Sequence, residues 1–242
     1  MDCRYDFHIH SCLSPCGERE MTPNNIAGMA KVLELDIIAL TDHNSAGNCR
    51  GVIEAAKPLG LTVVPGMELC TAEEIHVVCL FAELEKAEEF SDYVKSTMPP
   101  VKNDIEVFGE QLYLDANDEV IGSEEILLTL ASTISIDDVP KLVAEYGGFC
   151  YPAHIDRPSY SLLATFGMID ESMGFSCAEL TPFADLDKLK AQHPALEKMR
   201  IMRSSDAHCL EVMAAAEQGS ITLERLSAKA VIEALQNTTK AE

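Results

Sequence analysis

Short apolar runs recur along the chain, and stretches in which apolar and polar positions alternate with helical spacing separate them. Continuous short apolar runs are typical of strands that are buried on both faces of a parallel sheet. The predicted strands are residues 5–9, 37–40, 62–64, 77–81, 149–152, 178–180 and 200–203. Because strands and helices alternate over most of the chain, the pattern predicts a parallel α/β fold, either a barrel or a doubly wound sheet.

The helix boundaries follow from capping residues. Thr22 followed by Pro23 predicts a helix start, since proline is favoured at the first helical position. Residues 135–138 resemble a capping box, and Gly147 with Gly148 ends the helix that they open. Residues 227–237 predict a terminal amphipathic helix.

The alternation is interrupted between Glu68 and His76, which only seven residues separate. A crossover between parallel strands needs about a dozen residues or more. The two runs on either side are therefore predicted to form a hairpin or one bent ribbon. In that arrangement Glu68 and His76 share a site.

Residues from about 100 to 130 are predicted to be an insertion. Residues 111–114 and 119–122 flank the turn-forming segment Asp-Ala-Asn-Asp, which predicts a small β-hairpin. No domain boundary is visible, so we predict a single domain over residues 1–242. We expect the insertion and residues 157–166 to shape the pocket.

Composition indicates a globular chain, because 47% of its 242 residues are apolar. No apolar run approaches the roughly 20 residues that span a bilayer, and the start of the chain lacks the features of a signal peptide. Nine scattered cysteines without a C-x-x-C pair indicate buried thiols in a reducing compartment. We therefore expect a cytoplasmic protein.

The chain is strongly acidic, with 40 Asp and Glu residues against 18 Lys and Arg residues and a formal charge of −22. Such a surface repels polyanions, and no basic run offsets it. The charge predicts a small phosphorylated substrate, no long duplex nucleic acid and no membrane partner. The alternative is that the charge serves solubility alone. Oligomeric state is left open.

Residues that can bind metals occur in five segments, each beside the end of a predicted strand. The segments are Asp6-Phe7-His8-Ile9-His10, Thr41-Asp42-His43-Asn44, Gly66-Met67-Glu68 with His76, Pro152-Ala153-His154, and Ser204-Ser205-Asp206-Ala207-His208. In α/β barrels the carboxyl ends of the strands carry the active site. A buried core histidine or a helix cap explains any one segment, whereas metal binding explains all five together.

The first segment has the spacing of a metal ligand pair. In a strand, His8 and His10 project to the same face and reach one ion together. Asp6 lies on that face one step earlier, where it orients a ligand from outside the coordination shell.

The order of these motifs resembles the PHP (polymerase and histidinol phosphatase) family. The resemblance runs from Asp6 to His208: D-x-H-x-H, then T-D-H-N, a strand-end Glu, a separate His and a final S-D-A-H. It implies a distorted (β/α)7 barrel of the TIM-like type, with two to three divalent metal ions such as zinc, manganese or iron.

The resemblance also implies a ligand set. A first ion takes four ligands: His8, His10, Glu68 and Asp206. A second ion shares Glu68 as a bridge and adds His76 and His154. A third ion takes His43 and His208. Family members add a ligand to the third ion from the loop after H-x-H, where this chain has Cys16; Glu18 or water is the alternative.

The implied activity is hydrolysis of a phosphate ester by metal-activated water, in a phosphatase or a nucleotide or oligonucleotide phosphodiesterase. Asp206 and His208 then belong to the catalytic residues as well as to the ligands. Arg157, three residues after His154, is a candidate phosphate clamp through its bidentate guanidinium. The alternative for Arg157 is a salt bridge to Asp156 or to another carboxylate.

Three other functions remain open. Amidohydrolases also begin with H-x-H, but the final motif here is D-x-H, and no strand-end lysine is placed to form a bridging carbamate. A PHP-type nuclease needs the same metals, although the acidic charge disfavours long duplexes. A non-catalytic PHP module is disfavoured because nearly every ligand is present.

Overall fold

The computed structural model describes residues 1–237. Its strands are β1 (Asp2–Ile9), β2 (Ile37–Leu40), β3 (Thr62–Cys70), β4 (His76–Phe81), β5 (Leu112–Leu114), β6 (Val120–Ser123), β7 (Gly148–Pro152), β8 (Cys177–Glu179), β9 (Arg200–Met202) and β10 (Gly219–Thr222). Its α-helices are α1 (Pro23–Val32), α2 (Cys49–Ala56), α3 (Leu84–Thr97), α4 (Ile105–Phe108), α5 (Val139–Glu145), α6 (Leu162–Phe166), α7 (Leu186–Gln192), α8 (Leu210–Ala215) and α9 (Ala228–Asn237). Each predicted strand matches an observed one, with shifts at the ends.

Capping residues set one of the two predicted helix starts. The Thr22 side chain accepts a hydrogen bond from the backbone N–H of Asn25, and Pro23 begins α1. The predicted capping box before α5 is wrong: Asp138 precedes the helix without a side-chain cap. The Ser135 hydroxyl instead donates to Glu73 Oε1 at 2.8 Å, and the same carboxylate accepts from the Ile136 N–H at 3.0 Å, so this tertiary contact replaces the local cap.

Six strands form one mixed sheet in the order β10-β1-β2-β3-β4-β7. Strands β1, β2 and β3 are parallel, whereas β4 runs antiparallel to both β3 and β7. The predicted hairpin between Glu68 and His76 is confirmed, since His76 pairs with Cys70 across the β3–β4 ladder. Residues two apart on a strand share a face, so Glu68 and His76 point the same way.

The mixed α/β fold is confirmed, but a closed (β/α)7 barrel is not: within residues 1–237 the six-stranded sheet is open, and β8 and β9 form a separate parallel pair. Strand β10 pairs with the outer edge of β1 over Asp2–Tyr5, which occupies the edge that a closing strand needs. The carboxyl end of β1 extends beyond the residues that pair with β10. There the His10 N–H donates to the Ala207 carbonyl at 2.9 Å.

The apolar side chains of the six-stranded sheet pack in two clusters. Ile38 and Leu40 of β2 belong to the larger cluster, whereas Ile37 and Ala39 belong to the smaller one, as the period of two in a strand requires. The amphipathic helix predicted at 227–237 is present as α9, and its buried face packs in the smaller cluster. No helix in the described part of the chain has both the length and the apolar composition to cross a bilayer.

The predicted hairpin is formed by β5 and β6, which make a two-stranded antiparallel sheet of their own. Asn48 joins this sheet to the body of the fold: its side chain donates to the Leu112 carbonyl at 3.0 Å and accepts from the Leu114 N–H at 2.9 Å. That the segment is an insertion within a single domain stays a prediction.

Candidate metal centre

The carboxylate of Glu68 lies at the centre of the five ligand-bearing segments and is 1% exposed. Around Oε1 are His76 Nδ1 at 2.9 Å, His154 Nε2 at 3.0 Å and His8 Nε2 at 3.2 Å. Around Oε2 are His43 Nδ1 at 2.9 Å and His10 Nε2 at 3.4 Å. The two oxygens of one carboxylate therefore face two different groups of imidazoles, which is the geometry that a bridging ligand needs.

A second carboxylate, that of Asp206, faces the same imidazoles. Its Oδ1 is 3.4 Å from Nε2 of both His8 and His10 and 3.7 Å from His208 Nδ1. The structure thus brings together six histidines and two carboxylates that lie up to 200 residues apart in the sequence, from His8 to His208.

Left-handed backbone conformations help to aim these side chains. Asn44, His154 and Asp206 all have positive φ, at 49°, 29° and 51°. Such conformations are unfavourable for residues other than glycine and persist where the surroundings hold them, often at functional sites. The Asn44 side chain is held by the Cys70 N–H, which donates to its Oδ1 at 2.8 Å.

Opposite charges shift the ionisation of the cluster. Burial raises the pKa of Glu68, but the imidazoles of His76 and His8 outweigh it and hold that pKa well below its ordinary value. The pKa of Asp206 is lowered in the same way, mainly by His8. Both carboxylates are therefore anionic, as ligands of a cation must be.

Several buried atoms of the cluster lack a hydrogen-bond partner within residues 1–237. They include His43 Nδ1, His76 Nδ1, Glu68 Oε2 and Asp206 Oδ1. Buried polar groups are almost always satisfied. These atoms lie close together but are not aligned as hydrogen-bond donor and acceptor pairs. They are instead directed toward shared positions that an ion could occupy. Imidazole nitrogens with carboxylate oxygens are a donor set that suits zinc, manganese or iron, and the residues present therefore fit divalent ions.

Three compact donor groups occur within the cluster in the described residues. They are His8 with His10 and Glu68, His43 with Glu68 and His76, and His10 with His43 and His208. Glu68 belongs to the first two groups, in keeping with the bridge that the family resemblance implies. The third group joins His43 and His208, as expected, but completes them with His10.

Cys16 lies beside this third group without belonging to any compact donor group in residues 1–237. Desolvation raises the pKa of its thiol, but the neighbouring imidazoles of His208 and His43 outweigh it and lower the pKa to about 6. The thiol is thus placed near the third group, and its role as a ligand stays a proposal.

We expect Cys16→Ser to be a mild variant. Because His10 completes the third group without the thiol, the substitution should lower kcat/KM by less than about tenfold, below the usual effect of losing a supporting contact. Steady-state kinetics with metal analysis checks this. His208→Ala is the comparison variant and should lose far more. Equal losses in the two variants would mean that the thiol is an essential ligand.

Hydrogen bonds from outside the cluster orient two imidazoles. His10 Nδ1 lies 2.9 Å from Ser14 Oγ, and the Ser14 hydroxyl donates to Asp42 Oδ1 at 2.7 Å. The serine proton is therefore committed to Asp42, so His10 Nδ1 must be the donor in its contact. This leaves His10 Nε2 with its lone pair facing Glu68, ready to bind an ion.

Glu179 orients His8 in the same way, and the sequence analysis missed it. Its carboxylate is 2% exposed, and its Oε2 lies 2.8 Å from His8 Nδ1 and accepts from the His154 N–H at 3.1 Å. Residues 178–180 were predicted as a strand, so Glu179 carries the same signal as Glu68: a carboxylate at a strand end. The Glu179 carboxylate beside His8 Nδ1 holds the ring so that His8 Nε2 faces Glu68 at the centre of the cluster.

Glu179→Gln should weaken metal affinity by roughly 10- to 100-fold, because the negative charge that raises the basicity of His8 is lost while the shape is kept. Titration of the metal-free protein with Zn²⁺ or Mn²⁺ measures the effect directly. Glu145→Gln, at the exposed end of α5, is the matched control. Equal affinities of Glu179→Gln and Glu145→Gln would remove Glu179 from the site.

Arg157 reaches the cluster. Its Nη1 lies 2.8 Å from Asp206 Oδ2, and its side chain is half-exposed. The alternative partner Asp156 is engaged elsewhere, since its carboxylate accepts from the Thr181 N–H at 2.8 Å. The guanidinium is thus directed at the carboxylate of a predicted ligand.

The fold and the donor set are those of a metal-dependent hydrolase of phosphate esters. The chain belongs to the PHP domain family, whose family model matches residues 6–224. Among curated proteins, none matches this chain.

Solved structures with a similar fold include two of Endonuclease Q. The lesion-specific endonuclease EndoQ from Pyrococcus furiosus superposes with a TM-score of 0.75 and 19% identity over 98% of this chain and 56% of that chain. Endonuclease Q in complex with a 27-mer duplex that has an abasic lesion at the active site superposes with a TM-score of 0.74 and 19% identity. The match covers 98% of this chain and 57% of that chain. This chain therefore spans just over half the length of those proteins.

A protein assigned as a metal-dependent phosphoesterase, from Bifidobacterium adolescentis, is similar over nearly its whole length. Its TM-score is 0.62 and its identity 18%, over 96% of this chain and 95% of that chain. At these identities the similarity establishes the fold.

The prediction that charge excludes long duplex nucleic acid is wrong. Endonuclease Q, which includes a similar fold, binds a 27-mer duplex substrate with an abasic lesion at the active site. The physical reason is that a net charge of −22 averages over the whole surface. The field at the site depends on nearby groups such as Arg157 and on any cations that the ligands hold, which would make the site locally more positive.

Proposed function

We propose that the chain hydrolyses a phosphoester bond of a nucleotide-containing substrate, with the phosphate placed over the Glu68–Asp206 cluster. The observation that carries the proposal is a cavity of about 780 Å³ beside the cluster, lined by His154, Asp206 and His208 together with Arg157. A group bound in it meets the ligand residues on one side. Residues 180–183 and α8 form the remaining walls, rather than the insertion that the sequence analysis expected.

The roles of the residues follow from their contacts. We propose two to three ions of zinc, manganese or iron, held by His8, His10, His43, Glu68, His76, His154, Asp206 and His208, with Cys16 at the edge. Bound ions lower the pKa of water to give hydroxide near neutral pH and polarise phosphoryl oxygens. Elemental analysis below one ion per chain after metal-supplemented expression would contradict the proposal.

Arg157 is proposed to bind the substrate phosphate. Its guanidinium now pairs with Asp206 at the cavity wall, and a phosphate entering there offers a doubly charged partner with matching geometry. His208 donates from Nδ1 to the Asp206 carbonyl, at 3.0 Å, which leaves its Nε2 to face an ion or a phosphate oxygen.

A second candidate function is cleavage of DNA at a lesion. It is favoured by the fold similarity to Endonuclease Q at a TM-score of 0.75. Nucleotides offer a phosphate monoester and nucleic acid a phosphodiester, and hydrolysis of either needs metal-activated water, so both belong in one test.

The test measures hydrolysis by metal-loaded protein, with Asp206→Asn as the inactive control. The substrates are adenosine 5′-monophosphate, thymidine 5′-p-nitrophenyl phosphate and a 27-mer duplex with and without an abasic site. We expect turnover of at least one substrate class and loss of that turnover in Asp206→Asn. Protein with verified metal that turns over none of them above the control would overturn the proposed function.

A further inference from the structure

The cavity beside the metal centre has two unlike halves. One half is formed by the ligand residues His154, Asp206 and His208. The other half is apolar, with Phe183 on the segment after β8 and Val212 on α8. A ligand that fills both halves must combine a phosphate with an uncharged, apolar group.

Phe183 is 96% exposed, although it is a large aromatic residue. Its ring lies within no aromatic pair in the described residues, and the neighbouring Leu180 is fully buried. Ala215, the last residue of α8, and Ala216 after it line the same cavity and have small side chains. An exposed ring in a cavity with small side chains leaves room for a flat group to lie against the ring.

A carboxylate also lines the cavity. Glu217 lines the cavity, and its side chain has no hydrogen bond or ion pair among residues 1–237. An aliphatic chain has nothing to offer a carboxylate, whereas the edge of a nucleobase presents N–H donors. The combination of a flat apolar surface and one acceptor matches a base rather than a hydrocarbon.

We propose that the apolar half of the cavity binds the nucleobase of the substrate, stacked on Phe183, while the phosphate lies at the metal centre. The inference rests on the proposed function and names the group that its substrate carries. Aromatic rings bind bases through their faces, so the stacking tolerates different bases and Glu217 favours those with amino groups. Phe183 then acts through substrate binding and is not itself one of the proposed metal ligands.

The first test is calorimetric binding of the non-hydrolysable phosphonate analogue of adenosine 5′-monophosphate to metal-loaded protein. Phe183→Ala should weaken binding roughly 10- to 100-fold, as loss of a base-stacking ring does. The matching analogue of ribose 5-phosphate, which lacks the base, should bind both proteins within about twofold. Phe183→Tyr keeps the ring and should retain affinity for both ligands.

A second test uses fluorescence, since the chain contains no tryptophan. Phe183→Trp introduces one reporter, and a base stacked on it should quench its emission on addition of the adenosine analogue. Phe108→Trp is the matched control, because Phe108 is exposed on α4 and does not line the cavity. Its emission should stay constant.

The outcomes separate the inference from the proposed function. If Phe183→Ala weakens binding of both analogues equally, or weakens binding of neither, the base site is wrong. Phosphoester hydrolysis by the wild type would still support the proposed function in that case. Quenching by an intact or abasic 27-mer duplex, compared with the free nucleotide analogue, identifies the source of the base. No quenching by any of these ligands would overturn the base site.

Discussion

Glu68→Gln is expected to lower kcat/KM on the order of a thousandfold, with loss of bound metal. The substitution keeps the shape of the side chain but replaces a charged oxygen by an amide group. That group then faces imidazoles at 2.9 to 3.4 Å on both sides. Metal ions contribute several kcal/mol of transition-state stabilisation, and about 1.4 kcal/mol corresponds to a tenfold rate.

The measurement combines elemental analysis with steady-state kinetics on the substrate that the wild type turns over. Glu145→Gln, a change of the same chemistry at an exposed helix end, should behave like the wild type. Glu68→Asp keeps the charge but shortens the side chain, so partial metal content is expected. Metal content and rate in Glu68→Gln equal to those of Glu145→Gln would show that Glu68 bridges no ions.

Removal of metal should lower the melting temperature by roughly 10 °C and abolish hydrolysis. A ligand present at about a thousand times its dissociation constant stabilises the folded state by about 4 kcal/mol. In a chain of this size, each 1 kcal/mol shifts the melting temperature by roughly 2–4 °C. The physical cause is that the buried, unpartnered donor atoms of His43, His76 and Asp206 lose the cation that satisfies them.

Differential scanning calorimetry before and after chelation, with metal content verified, measures the shift. The Glu68→Gln variant is the control, since it should melt at nearly the same temperature with and without chelator. Re-addition of Mn²⁺ or Zn²⁺ should restore the wild-type value. An unchanged melting temperature in verified metal-free protein would mean that the cluster is held together by its own hydrogen bonds.

Local pattern was sufficient to locate most elements. Seven predicted strands coincide with observed ones, because an apolar run of strand length between turn residues has few other structures available to it. The same pattern missed β10, in which only Ile221 is buried. Its pairing with β1 depends on a partner more than 200 residues away, and this pairing leaves the sheet open rather than closed into the expected barrel.

The sequence by itself determined where the candidate ligands lie: histidines and carboxylates at five strand ends, and a Glu68–His76 connection too short for a crossover between parallel strands. Only the tertiary structure decided how they combine. The contact of Glu179 with His8 spans 171 residues, and Arg157 meets Asp206 from another strand end. The cavity likewise combines Phe183, on the segment after β8, with residues of α8. Periodicity reports the environment of a residue along its own element, whereas these contacts join elements whose relative positions are set by packing of the whole chain.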